Sequence, residues 1–497
     1  MQKWLVRRQR CSISVSLETK GSTEKRKVLR QRLARALILV TGGLAGGCAF
    51  ERYAPAPLDP GAVPQALAAA TIEIERGSDA QPGDSTDGYW SCPHIGLLAA
   101  QRSRAVAAAR ADVRAAGAVA AAAGRAPPLE VQLGVEHHSV DNQGNGKDFG
   151  IGPAFSYVWR PLGRRRIARQ LAATEVLNAR AAVLAAAWEA RREGCAALNA
   201  LAANDALRRS ASTRSALLEA AAGLAREQTR AGLADGFAWQ SVSIEANAAR
   251  LELLELLSDG AAARARLAGA LGLMLDALPA QQTRLILPAA DLPAEADWRA
   301  HALQHHPRIL MALADYQRSE RALEKAVADQ YPDIDLSPGY FFDQGDHVWS
   351  LAGGIVLPLL TGQAKVIAGA AQQRDAARLH FEAVQADIIA TVQQYYTRLD
   401  AQRRLLLGTR ETVGQIDAQV ASLVAQAQDG LLDGLTVKRA ELQRAVARLS
   451  LVKAEAAFAA AYADLEQAAA WAVSGESFER YLEALYADPG FPVEGDE

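Results

Sequence analysis

The chain has 497 residues, half of them hydrophobic, with 54 basic and 56 acidic side chains and a formal net charge of −2. Basic residues are dispersed among acidic ones, as solvated helix faces require, which excludes the basic footprint of a nucleic-acid binder. A soluble chain of this length would carry several domains.

The first 47 residues read as a secretory signal. Arg30, Arg32 and Arg35 precede an apolar run, Ala36–Val40, extended by Thr41–Gly47 and followed by Cys48. The run is too short to span a membrane, so residues 1–47 are set apart from fold reasoning. The charged stretch before it is long, and an alternative start near Val28 is open. Leu44 to Cys48 resembles a bacterial lipoprotein cleavage box, with Ala45 where Leu is usual. Lipidation at Cys48 is expected; the alternative is ordinary cleavage nearby and an unmodified thiol. Residues 48–89, rich in Pro, Gly, Ala and Asp, read as a flexible lead.

Strands come next. Leu129, Val131, Leu133 and Val135 alternate with Glu130, Gln132, Gly134 and Glu136. Phe149, Ile151, Phe155, Tyr157 and Trp159 alternate with Gly150, Gly152, Ala154 and Ser156. Further along, Ile334, Leu336, Tyr340 and Phe342 oppose Asp333, Asp335, Ser337 and Gly339, and Trp349, Leu351, Ile355 and Leu357 oppose Ser350, Ala352 and Gly354. Period two predicts strands over 129–136, 149–159, 333–342 and 348–357 with unlike faces. Runs of about ten residues suffice to cross a bilayer when tilted. Tyr157, Trp159, Tyr340, Phe341, Phe342 and Trp349 sit at strand ends, as aromatic membrane belts do. Four half-buried strands of a soluble sheet is the competing reading.

Each strand pair is followed by proline-free, alanine-rich sequence, from Leu162 to Leu278 and from Leu359 to Asp488. A helix from Arg164 to Arg230 would be roughly 100 Å long. The segment Gly232–Gly236 offers a turn, with a return helix to about Leu275; Gly430–Gly434 offers the second turn. The two halves are copies. Gln228, Gly232, Leu233, Asp235, Gly236, Ala249 and Arg250 recur 198 positions later as Gln426, Gly430, Leu431, Asp433, Gly434, Ala447 and Arg448. Such a repeat makes the chain two units of one design, 90–285 and 286–475, followed by a tail, 476–497. Each unit is a helix, two strands and a very long helical hairpin. Four strands cannot close a membrane barrel, and open edges in lipid cost several kcal/mol per unpaired group. Oligomerisation is therefore expected, and three copies would supply twelve strands.

After about Trp90 the chain resembles the TolC-like outer-membrane efflux family, and most of all its heavy-metal and cation branch. Gln330–Leu357 is similar to that branch's third and fourth strands. Pro161–Arg169 is similar to the basic segment leaving strand two, and the Gly-Leu turns resemble helix-hairpin tips that meet a periplasmic adaptor. Two departures are plain. The family often has Asp six residues after the tip glycine, where this chain has Ala238 and Thr436. A Pro-Leu-Phe-Asn-Arg run is replaced by Pro358, Leu359, Leu360, Thr361 and Gly362.

The resemblance implies an α+β membrane protein: an oligomeric, trimeric, 12-stranded outer-membrane barrel continued by a long α-helical periplasmic barrel. It implies a passive exit duct in a Gram-negative outer membrane, joined through the adaptor to an inner-membrane pump. Cargo would be metal cations or small toxic compounds. Glu130, Gln132, Glu136, Asp333 and Asp335 would line a wet lumen. Gly232, Leu233, Asp235, Gly236, Asp429, Gly430, Leu431, Asp433 and Gly434 would form the docking and gate tips. Asp235, Asp429 and Asp433, three copies of each, would make an acidic ring favouring cations, or else simple solvated turn carboxylates.

In an oxidising compartment, Cys92 and Cys195 lie at similar distances from the strands, 37 residues before Leu129 and 34 after Pro161. That suggests a disulfide, with two buried free thiols as the alternative. No catalytic, metal or cofactor site is expected. His301 and His305 have ligand spacing, but His306 precedes Pro307 and a helix beginning at the surface accounts for all three. His137 and His138 end strand one and face the exterior. Trp239 reads as packing at a tip. No P-loop or nucleophile elbow occurs. Two alternatives stay open: a duct for a drug pump or type I protein secretion, and a lipid-anchored coiled-coil scaffold without a pore.

Overall fold

The computed structural model describes residues 53–70, 89–137, 149–160, 163–233, 235–279, 283–288, 292–343, 346–356, 362–429, 431–432, 434–473 and 475–487. The chain divides into two units, Met1–Ala62 and Val63–Glu497.

A short helix, α1 (Ala62–Ala69), precedes the repeated elements. The first set is α2 (Cys92–Arg102), α3 (Arg104–Ala122), β1 (Glu130–His137), β2 (Phe149–Trp159), α4 (Arg164–Arg230) and α5 (Gly236–Ala270). The second is α6 (Glu295–His305), α7 (Pro307–Ala328), β3 (Asp333–Asp343), β4 (Asp346–Val356), α8 (Gln363–Gln428) and α9 (Gly434–Ala469). A last helix, α10 (Glu476–Ala487), follows. Both leading helices are broken where the sequence reading drew one. Ser103 caps α3 by accepting from the Val106 amide at 3.3 Å. His306 caps α7, whose first residue is Pro307, because proline has no amide to continue α6.

Long helices form where proline is missing and good helix formers abound. α4 has 67 residues and α8 has 66, about 100 Å each. Both start after a glycine in the left-handed region, Gly163 (φ 67°) and Gly362 (φ 65°). The return helix α5 stops at Ala270, short of the expected Leu275. Gly272 takes φ 63°, and the Leu273 amide reaches the Ala268 carbonyl at 2.9 Å, closing the helix end.

Packing differs between the two long helices. α8 buries Val392, Leu399, Leu406, Val413 and Val420. Their spacing of seven is a single coiled-coil seam. Phe458, Tyr462 and Leu465 of α9 join this core with Trp298 of α6. α4 buries side chains along a broader front, with Trp188 beside Phe478 and Leu482 of α10, and Leu198 and Leu201 beside Leu267 and Leu271. α4 therefore has neighbours on several sides. A disulfide joins Cys92 at the start of α2 to Cys195 in mid-α4, with Cα atoms 4.9 Å apart.

The four strands form one antiparallel sheet in the order β1-β2-β3-β4. Its ladder shifts the expected bounds slightly. β1 begins at Glu130, paired with Ser156. β3 and β4 extend to the pair Asp343↔Asp346, so only two residues join them. Among the described residues no helix is long and apolar enough to cross a membrane.

Candidate functional site

Directly paired residues of an antiparallel ladder share a face. Register therefore sorts the sheet. One face carries Val131, Leu133, Val135, Ile151, Phe155, Tyr157, Trp159, Ile334, Leu336, Tyr340, Phe342, Trp349, Leu351 and Ile355. Most of these are exposed in the single chain, Leu133 by 69%, Leu351 by 76% and Trp349 by 79%, while Tyr157, Ile334, Tyr340 and Phe342 are half-buried. The other face carries Glu130, Gln132, Glu136, Ser156, Asp333, Asp335, Ser337 and Ser350, separated by glycine, alanine, Val158, Phe341, Val348 and Val356. An apolar surface this continuous is built to be covered.

The five expected lumen residues all lie on the polar face, in different states. Glu130, Gln132 and Glu136 are exposed along β1. Asp335 accepts from the hydroxyls of Ser156 (3.0 Å) and Ser337 (3.1 Å), which stitches β2 to β3. Asp333 is held by the Arg164 guanidinium, with Arg160 3.8 Å away. Arg164 also donates to the carbonyls of Ala328 and Tyr331 and lies 3.6 Å from Asp329. The basic segment leaving strand two thus pins the α7–β3 turn. Sequence reading missed this pairing, since Arg164 and Asp333 are 169 positions apart.

Phe341 is the other miss. The sequence reading grouped it with the aromatic belt. Register instead pairs it with Val348 on the polar face. Three consecutive aromatics, Tyr340 to Phe342, cannot share one face of a strand.

At the first tip, Gly232 takes φ 71°, and the Leu233 amide bonds the Gln228 carbonyl at 2.9 Å. Asp235 caps α5, its carboxylate accepting from the Ala238 amide at 2.9 Å. That carboxylate is already engaged within its own hairpin. Gly236 opens α5, and a Cβ there would meet nothing within 4 Å. Leu233 and Phe237 are 80% and 77% exposed. The Arg226 guanidinium lies 5.9 Å from the Trp239 ring. At the second tip, the Leu431 amide bonds the Gln426 carbonyl at 2.9 Å, the same closure as in the first copy. Leu431 is 71% exposed, Asp429 caps α8 and Gly434 opens α9. Cys48, His138, Gly430 and Asp433 lie outside the described residues.

The histidine group departs from the expected exposed helix start. His301 stacks on Trp471 (4.8 Å, 13°), lies 4.6 Å from His305 and bonds the Ala470 carbonyl at 3.2 Å. Burial, with His305 beside it, pushes the His301 pKa down to about 4. Burial, with Arg308 nearby, does the same to His306, also to about 4. Among the described residues no three His, Cys, Asp or Glu side chains gather as a metal site.

Residues 298–470 match the family model described as "Outer membrane efflux protein". No curated protein matches the chain in sequence. Among solved structures the chain is similar to the outer membrane protein VceC of Vibrio cholerae, at 20% identity and TM-score 0.62, over 76% of this chain and 95% of that one. It is similar to the Campylobacter jejuni CmeC outer membrane channel at 12% identity and TM-score 0.62, over 90% and 98%. CusC, described as forming a transmembrane channel, matches at 16% identity and TM-score 0.62, over 81% and 99%. The shared fold is a small antiparallel sheet set on very long helices.

Proposed function

We propose that this chain is a TolC-like outer membrane efflux protein and the passive exit duct of a tripartite efflux system in a Gram-negative outer membrane, a reading supported by the family model matched over residues 298–470 and by the shared fold. The observation that carries the reading is the sheet. It has an apolar face with exposed side chains on all four strands, a polar opposite face, and two edges, β1 and β4. Edges in lipid must be paired, so β4 of one copy joins β1 of the next. Three copies give twelve strands, with Glu130, Gln132 and Glu136 facing water inside. Below the membrane the helices of each copy form a third of a continuous wall. Phe237, Ile244 and Leu251 support this. They recur every seven residues on α5 and are exposed in the single chain, as a coiled-coil seam awaiting a partner would be.

The duct performs no catalysis. An inner-membrane pump supplies the energy, and a periplasmic adaptor docks on the tips, where Leu233 and Leu431 offer apolar contacts. The cargo is metal cations or small toxic compounds. Cys48 carries the lipid anchor, and mass spectrometry of the mature N-terminus tests that directly.

The deciding experiment is single-channel recording of the purified protein in planar bilayers, with the oligomer mass measured in parallel. Discrete conductance steps from a trimer are expected. A folded protein of any mass that never conducts, even after Leu233 and Leu431 are replaced by Glu to loosen the tips, would favour a non-conducting scaffold.

A further inference from the structure

Among the described residues the polar face carries one aromatic ring, Phe341, paired with Val348 on β4 and set against glycines on β2 and β1. β2 and β3 are paired through Ile151↔Phe342 and Ala154↔Gly339, which sets Phe341 beside Gly152. The ring extends from there across two strands. A Cβ built on Gly152 would stand 2.8 Å from the ring's Cδ2, one on Gly150 3.1 Å from Cζ, and one on Gly134 3.3 Å from Cε2. The ring therefore lies over three glycines on β1 and β2: at Gly150 and Gly134 a Cβ would meet the ring first, whereas at Gly152 it would meet the Tyr340 carbonyl and the Phe341 Cα before the ring. It remains partly exposed. A glycine recess is a costly way to build a strand, because glycine weakens strands and packs nothing. Its effect here is to seat a ring against the wall so that one aromatic face is offered without obstructing the passage.

Among the described residues of this face, the ionisable side chains one row away are acidic. Phe341 lies two residues from the distal end of β3. One row further along the same face come Glu136, opposite Gly150, and the pair Asp343↔Asp346.

We propose that Phe341 is a stacking platform on the inner wall, near the outer mouth, for organic cations with an aromatic body. A phenyl face attracts cations through its quadrupole, and the exposed Glu136 carboxylate one row away raises the local concentration of positive cargo. Three rings, one per copy, make a shallow girdle. Such binding is weak enough to release cargo, as conduction requires. The inference rests on the duct reading and narrows its cargo from metal ions toward organic cations.

The test is open-channel block by tetraphenylphosphonium, recorded on the full-length protein in planar bilayers. The parent channel should carry potassium current and be blocked reversibly. Phe341→Leu, similar in bulk but without a π face, should keep the potassium conductance and weaken the block about five-fold. Phe341→Trp should strengthen it, and Trp349→Leu, on the opposite face, should leave it unchanged. A conducting parent that tetraphenylphosphonium does not block would overturn the platform. So would a block that neither Phe341 variant changes, and the Trp variant alone decides this if the Leu variant does not assemble. A channel that passes no current even with Leu233→Glu and Leu431→Glu in place would instead overturn the duct and the platform with it.

Discussion

Arg191 of α4 and Glu466 of α9 meet at 2.7 Å, each side chain only 2% exposed. The pair joins the two copies of the repeat deep inside the helical wall. The guanidinium also lies 5.3 Å from the rings of both Trp188 and Phe478. Glu479 of α10 borders the same group. Its carboxyl is pushed up by burial, and it accepts from the Ala472 amide at 2.9 Å.

Breaking this pair should be severe. Glu466→Gln leaves a buried guanidinium without its counter-charge, and a loss of about 3–5 kcal/mol is expected. Replacing both partners, Arg191→Met with Glu466→Leu, should cost less than either single change. Thermal melts of the three variants check this; a double variant as unstable as the sum of the singles would point to packing on Trp188 and Phe478 as the main contribution.

The Cys92–Cys195 disulfide spans 103 positions. Closing a loop of this length stabilises by about 4–5 kcal/mol in the chain-entropy account. Reducing agent, or Cys92→Ala with Cys195→Ala, should lower the melting temperature measurably while leaving the helical circular dichroism signal intact at room temperature. Equal melting with and without reductant would contradict it.

Stability should fall in mild acid. His301 and His306 have folded pKa values lowered to about 4 from 6.5. Between these values the unfolded chain binds protons that the folded chain refuses. Stability therefore rises with pH from about 4 to 6.5, and these residues add no slope above that. Urea midpoints measured across the range should show that trend, and a His301→Gln, His306→Gln variant should show less of it.

The first tip depends on one cap. Asp235→Ala removes the acceptor for the Ala238 amide and should cost about 1 kcal/mol, whereas Asp235→Ser should recover most of it. Hydrogen exchange at the amides of the first turn of α5 is the direct measurement. Exchange that does not quicken in the Ala variant would mean the cap is redundant.

Glycines of the sheet should differ sharply in tolerance. A Cβ at Gly152 would run into the Tyr340 carbonyl and the Phe341 backbone, whereas at Gly354 it would find ordinary contact, 3.5 Å from the Asp335 Cβ. Gly152→Ala should abolish an SDS-resistant oligomer and Gly354→Ala should preserve it, as judged on unheated gels.

The architecture was legible because it rests on local periodicity. Alternation in 129–136 and 149–159 marks strands whatever they pair with, and a proline-free run from Arg164 to Arg230 has no other regular structure open to it. The duplicated tips were visible because the same local sequence, Gly-Leu-x-Asp-Gly, recurs between the long helices of both copies. Those features need only neighbours in sequence. Tertiary structure decided what depends on register and on distant partners. Period two says that Tyr340, Phe341 and Phe342 cannot share a face, but only pairing with β2 and β4 shows that Phe341 sits over glycines 134, 150 and 152. Arg164 neutralises Asp333, and Arg191 buries its charge on Glu466, across 169 and 275 positions. No sequence spacing encodes these contacts, since they arise when the two copies fold against each other. His301 looked like a solvated surface residue for the same reason, until Trp471 from the far end of the second copy closed over it.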